Sequence, residues 1–147
     1  MKMLYTTEDT ADTERVGREL ARELDERGLS RAFIALEGDV GVGKTVFTRG
    51  FASYFGIHGI KSPTYTIVNE HRGSGADIYH FDLYRIVDDD DLYSIGFDEY
   101  VERSGFCLAE WSERLGGELP PGAIRVKISK TDGGDDKRNI EITESGE

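Results

Sequence analysis

Gly38-Asp39-Val40-Gly41-Val42-Gly43-Lys44-Thr45 fits the phosphate-loop pattern Gly-x-x-x-x-Gly-Lys-Ser/Thr. Each fixed position answers a chemical need. The glycines let successive backbone N–H groups, those of Asp39, Val40 and Val42 among them, curl around a phosphate without side-chain clash. Lys44 adds a cation that reaches the β- and γ-phosphates, and Thr45 offers a hydroxyl to Mg2+. The context agrees with this reading. Ahead of the loop, Ala32-Phe33-Ile34-Ala35-Leu36 is a short apolar run with the look of a buried parallel strand. Behind it, Val46-Phe47, Phe51 and Tyr54-Phe55 recur at helical spacing up to Gly56. The helix start then points its positive dipole end at the same anion. A glycine-rich turn with an incidental lysine does not account for strand, loop and helix together.

Working outward, Thr10 to Arg27 reads as a helix with Val16, Leu20 and Leu24 on one face, stopped at Gly28. Ile60 to Arg85 looks like strand folded back on itself. Thr66-Ile67-Val68-Asn69-Glu70 leads into Gly73-Ser74-Gly75, and Tyr79, Phe81 and Leu83 then alternate. That alternation predicts an antiparallel strand with one covered face. The acidic run Asp88–Asp91 reads as a solvated loop or helix start, since four adjacent carboxylates cannot converge on a metal. Short helical structure broken at Gly96 is expected over Leu92–Arg103. Phe106-Cys107-Leu108-Ala109 is continuously apolar and reads as a central strand buried on both faces. Gly116-Gly117 and Pro120-Pro121-Gly122 flank a loop. Ile124–Ile128 and Asn139–Ile142 form a terminal hairpin around Thr131–Asp135.

Composition bounds the function. A chain of 147 residues suggests one domain, and seven Phe, seven Tyr and one Trp suffice for one core. No apolar run is long enough for a transmembrane helix, and the N-terminus has no apolar signal-peptide core. The one cysteine, Cys107, cannot form an internal disulfide, which suits a reducing cytoplasm. The net charge of −11 argues against the domain gripping nucleic acid directly, since that needs a basic patch, and any RNA connection would run through a partner.

A phosphate-loop enzyme also needs a carboxylate to hold or orient Mg2+. It should end an apolar strand beside the loop, because ligands bind at the carboxyl ends of parallel strands. Glu110 and Asp82 both qualify. Glu110 follows the more convincing central strand, so it is assigned to the metal shell with Thr45. Asp82 is left to orient or deprotonate the attacking water, or to meet the metal through water. Trp111 belongs either near the nucleotide or in the core. His80 shares a strand face with Asp82, but a lone His-x-Asp is weak, and packing is the expected role. Cys107 is expected to be buried and inert. Ser62-Pro63-Thr64-Tyr65 is a proline-fixed bend, from which the Thr64 hydroxyl either senses a γ-phosphate or merely begins a strand.

Four stretches together resemble one family, the bacterial ATPase of tRNA threonylcarbamoyladenosine (t6A) biosynthesis known as TsaE or YjeE. They are Gly38–Thr45 with Phe47-Thr48-Arg49-Gly50-Phe51, Ser62-Pro63-Thr64-Tyr65-Thr66, His80-Phe81-Asp82-Leu83-Tyr84-Arg85, and Glu110-Trp111. Spacing and order fit from about Thr7 to Arg138. The phosphate loop is widely shared; the other segments make the match specific. The resemblance implies a small phosphate-loop fold with a mixed sheet between helices. With the strand patterns, this is an α/β three-layer fold with a mainly parallel central sheet and a C-terminal antiparallel hairpin. It also implies weak ATP hydrolysis with Mg2+, metal-binding positions at Thr45 and Glu110, a catalytic aspartate at Asp82, and Trp111 near the nucleotide. Thr7 and Arg138 are the nearest matches to the hydroxyl residues and arginine that the family places around the base. The implied partners are TsaD and TsaB, a heterodimer that performs the transfer to tRNA and is reset by hydrolysis.

Two other enzyme classes compete. Ser129-Lys130-Thr131-Asp132 approaches the guanine-reading Asn/Thr-Lys-x-Asp motif of GTPases, but its first residue is Ser and it falls on a glycine turn. A small-molecule kinase needs an acceptor pocket and commonly an arginine-bearing lid, and no arginine-rich insertion appears. A nucleotide-gated binding module merges with the ATPase reading, since slow hydrolysis can serve to switch partner affinity.

Overall fold

The computed structural model describes residues 2–39, 41–61, 67–86, 88–112 and 119–144. In chain order its elements are β1 (Lys2–Thr7), α1 (Thr10–Glu26), β2 (Arg31–Glu37), α2 (Lys44–Tyr54), β3 (Val68–Arg72), β4 (Asp77–Asp82), α3 (Asp89–Ser94), α4 (Phe97–Glu102), β5 (Gly105–Glu110), β6 (Ile124–Lys130) and β7 (Arg138–Glu144). The strands form one sheet in the order β1-β7-β6-β2-β5-β4-β3. β6, β2, β5 and β4 run parallel to one another. The edges are antiparallel, through β7 and β1 on one side and β3 on the other.

Helices cover both faces. α1 and α2 pack with Ile34, Leu36, Phe106, Leu108, Val126 and Ile142 on one face. On the other, Leu92 and Phe97 from α3 and α4 pack over Phe33, Ala35, Phe81 and Cys107. β5 is buried along its whole length, as its unbroken apolar run predicts. Each fully buried Leu, Ile or Phe in these layers contributes about 1.5–3 kcal/mol relative to exposure.

Local signals set the boundaries. The Asp9 side chain accepts from Asp12 N and caps α1, and Gly28, at φ 75°, ends it with Leu29 N bonded to Leu24 O. Gly96, at φ 74°, separates α3 from α4, and Asp88 caps α3 with its side chain on Asp91 N. α1 and α2 meet at two glycines. A Cβ on Gly17 would come within 3.0 Å of Phe51 N, and one on Gly50 within 2.6 Å of Glu14 C. The helix that carries the phosphate loop is thus locked backbone to backbone against α1.

Two features differ from the sequence reading. β4 is not half-covered: Ile78, Tyr79, His80 and Phe81 are all buried, because β4 lies inside the sheet between β3 and β5. The polar His80 interrupts the apolar pattern and gives a false alternation. β1 carries no strong apolar alternation and was not anticipated; its partner β7 and the fold behind it make it a strand. Among the described residues, no helix is long and apolar enough to cross a membrane.

Candidate functional site

The loop leaves the carboxyl end of β2 with Gly38, Gly41 and Gly43 at φ 148°, 81° and 113°. These are left-handed values that side chains disfavour. At Gly38 a Cβ would also meet Ile128 O and the Val42 side chain. Gly43 precedes α2 with no side-chain cap, so the positive end of the helix dipole meets the loop without a protein side chain over it. Lys44 is buried. Its Nζ donates to Gly38 O at 2.7 Å and sits 3.9 Å from the centre of the Trp111 ring. An ammonium has three donors, so two remain for phosphate oxygens.

Parallel register brings the acids level. Leu36 of β2 pairs with Glu110 of β5, and Glu110 pairs with Asp82 of β4. Three strand ends therefore form one shelf beside the loop. The Thr45 hydroxyl donates to Glu110 Oε2 at 3.0 Å. Asp82 Oδ1 accepts from Tyr84 N at 3.0 Å, which fixes its carboxylate at the turn after β4. Gly41, Gly43, Lys44, Thr45, Arg49, Lys61, Asp82, Glu110 and Trp111 line a common cavity of about 450 Å3. Trp111 has a left-handed φ of 62°, an uncommon and costly conformation for a non-glycine residue. The turn lays its ring over Lys44 and against Tyr84, with centroids 5.0 Å apart.

His80 does more than pack. It is fully buried on β4, and its Nε2 lies 2.6 Å from Glu110 Oε2. The signal was the His-x-Asp spacing, which puts His80 and Asp82 on one face, but only the β4–β5 pairing aims that face at Glu110. Arg49, whose Nε donates to Ile60 O, and Lys61 also reach the cavity. No role was assigned to either from the sequence, where Arg49 stands only within a matched stretch, because exposed cations on a helix or loop are ordinary.

The remaining predicted positions fall as follows. Thr7 is buried at the end of β1, with its hydroxyl 2.9 Å from that of Thr13. Arg138 pairs with Thr7 across the β1–β7 ladder, and its Nε donates to Val42 O at 2.8 Å, bracing the phosphate loop. Asp39 O accepts from Val42 N within the loop. Val40, Ser62-Pro63-Thr64-Tyr65 and Gly116-Gly117 lie outside the described residues. Ser129 and Lys130 close β6, and Thr131 accepts from Gly133 N in the hairpin turn. Cys107 is buried mid-strand, and burial pushes its thiol up to about 12.

The donor set fits a hard divalent cation. Thr45 and Glu110 offer oxygen, and among the described residues no group of three or more His, Cys, Asp and Glu side chains could hold a metal by itself. Mg2+ is commonly bound through one or two protein oxygens, with water and substrate phosphates supplying the rest.

Comparisons with known proteins agree with one another. A family model described as "Threonylcarbamoyl adenosine biosynthesis protein TsaE" matches residues 7–140. The tRNA threonylcarbamoyladenosine biosynthesis protein TsaE of Haemophilus influenzae is 44% identical over 130 residues, covering 87% of this chain and 80% of that protein. The protein of the same name from Bacillus subtilis is 41% identical over 114 residues, covering 77% of this chain and 70% of its own. The crystal structure of Bacillus subtilis YdiB superposes with a TM-score of 0.79 at 32% identity, covering 99% of this chain and 87% of that one.

Proposed function

This chain belongs to the TsaE family of t6A biosynthesis proteins, and we propose that it serves tRNA modification as a Mg2+-dependent ATPase that cycles a TsaB–TsaD complex. One observation carries the enzymatic part: the Thr45–Glu110 hydrogen bond beside a buried Lys44, at the mouth of a glycine loop. The loop N–H groups and the α2 N-terminus bind the triphosphate, and the two remaining donors of Lys44 hold its β- and γ-oxygens. The Thr45 hydroxyl donates a hydrogen bond to Glu110, and these two oxygen-bearing side chains would hold the cation together. Mg2+, when bound there, neutralises charge on the phosphates. Asp82, tethered through Oδ1, has Oδ2 to orient a water and accept its proton as that water attacks the γ-phosphorus, while the bond from that phosphorus to the β–γ bridging oxygen breaks and ADP leaves with phosphate as the other product. Trp111 and Tyr84 wall the cavity.

The −11 charge supports a role one step removed from tRNA, with TsaD performing the transfer and this ATPase engaging the TsaB–TsaD heterodimer in the cytoplasm. Slow hydrolysis is sufficient for such a task, because it has only to switch partner affinity. Competing ATP and GTP titrations, followed by phosphate release, test the nucleotide. ATP preference with free phosphate as product is expected. A marked GTP preference, or a phosphorylated small molecule in place of phosphate, would sink the reading.

A further inference from the structure

The chain has three histidines, and His80 alone is fully buried. It stands on β4 opposite Leu108, two residues before the Asp82–Glu110 pair, so its ring shares the face from which Glu110 projects. Nε2 approaches Glu110 Oε2 to 2.6 Å. Two bare lone pairs do not approach so closely, so a proton lies between them. Nδ1 has no partner among the described residues. Burying that unpaired nitrogen is unfavourable, and a purely apolar residue would avoid it. What His80 supplies in return is a second hydrogen bond on Oε2, the oxygen that also accepts from Thr45. A carboxylate held at one oxygen from two directions has a fixed plane. Oε1 takes neither bond.

We propose that His80 is a positioning residue for the metal site: it holds the Glu110 carboxylate from the protein interior in the orientation that Thr45 and Mg2+ require. The proposal rests on the reading of Glu110 as part of the Mg2+ shell. Groups that orient a ligand in this way change metal affinity by about 10–100-fold when removed. His80 touches neither nucleotide nor metal, so its removal should leave metal-free nucleotide binding intact.

The test measures ATP affinity in EDTA and across a Mg2+ series, giving the half-saturating Mg2+ concentration for each variant. His80→Phe is expected to bind ATP in EDTA like the native protein but to need roughly 10-fold more Mg2+ or greater. His80→Gln, whose amide N–H reaches about as far as Nε2, should restore most of the effect, while the shorter His80→Asn should not. Should His80→Phe fail to fold, the Gln and Asn pair carries the same comparison. Glu110→Gln is expected to raise the Mg2+ requirement by itself, and His80→Phe added to it should change nothing further. An unchanged Mg2+ requirement in folded His80→Phe, or an additive loss in the double variant, overturns the positioning role while leaving Glu110 in place. No change in Glu110→Gln removes Glu110 from the metal shell and takes both readings with it.

Discussion

Replacing Gly50 by alanine sets two effects against each other. Helix propensity alone favours alanine by about 1 kcal/mol in a helix interior. The structure opposes it. The added methyl would overlap Glu14 O and lie 2.6 Å from Glu14 C and 2.7 Å from Glu14 Cα, backbone atoms of α1 that cannot swing aside. α1 must retreat by about 1.5 Å to restore ordinary contact, and a gap of even about 0.5–1 Å forfeits a quarter to a half of the dispersion attraction across the interface. Val16, Leu20 and Leu24, all buried, lie in the layer that would loosen, each contributing roughly 1.5–3 kcal/mol by burial. The clash therefore costs about 2–4 kcal/mol, and the net loss is about 1–3 kcal/mol. For a domain of this size that lowers Tm by roughly 2–12 °C. Nucleotide affinity should fall as well, because Lys44 and Thr45 are the first residues of α2. Thermal denaturation followed by circular dichroism, with urea titration beside it, measures the stability change. A Tm equal to or above the native value would mean that propensity wins, and the close α1–α2 approach would be refuted.

Other consequences follow from individual residues. Asp82→Ala should still bind ATP but lose about 10²–10⁴-fold in phosphate release, the usual range for a positioned base; undiminished turnover would free Asp82 of that role. Burial, and then the neighbouring His80, holds His71 below its ordinary 6.5. The unfolded chain then takes up more protons than the folded one as pH falls below about 6.5, so stability declines in that window. His71→Gln should lessen the decline in urea midpoints between about pH 7.5 and about pH 5.5, and an equal decline would exclude His71 as its source. Cys107, with its thiol pushed up to about 12, should resist iodoacetamide in the folded protein and react on unfolding; labelling of the folded chain at the rate of a free thiol would contradict its burial.

Much of the fold could be read from short patterns. The loop glycines, the apolar run of β5 and the stripe of α1 each specify an element by local chemistry, and each element lies where those patterns put it. Asp82 and Glu110 were legible as strand ends. That they stand level was not, because the pairing of β4 with β5 depends on long-range packing that no local period encodes. His80 shows the same limit. Its spacing from Asp82 was visible, but its partner is contributed by the neighbouring strand. Burial on both faces of β4 was masked by that same histidine, which breaks an otherwise continuous apolar run. β1 escaped notice because an edge strand with Leu4 exposed carries little pattern of its own. Thr7 and Arg138 pair across the β1–β7 ladder, one turned into the interior and the other onto the loop carbonyl of Val42, a relation that required the sheet order.

On the proposed function, nucleotide held at Lys44 drives tRNA modification through partner proteins. Reconstituting t6A formation from tRNA, ATP, TsaB and TsaD tests it most directly, with this protein omitted, native, or carrying Lys44→Ala. Modification should depend on the native protein, and a folded Lys44→Ala chain should fail to support it. Undiminished t6A with the variant would mean that modification does not depend on nucleotide held at Lys44.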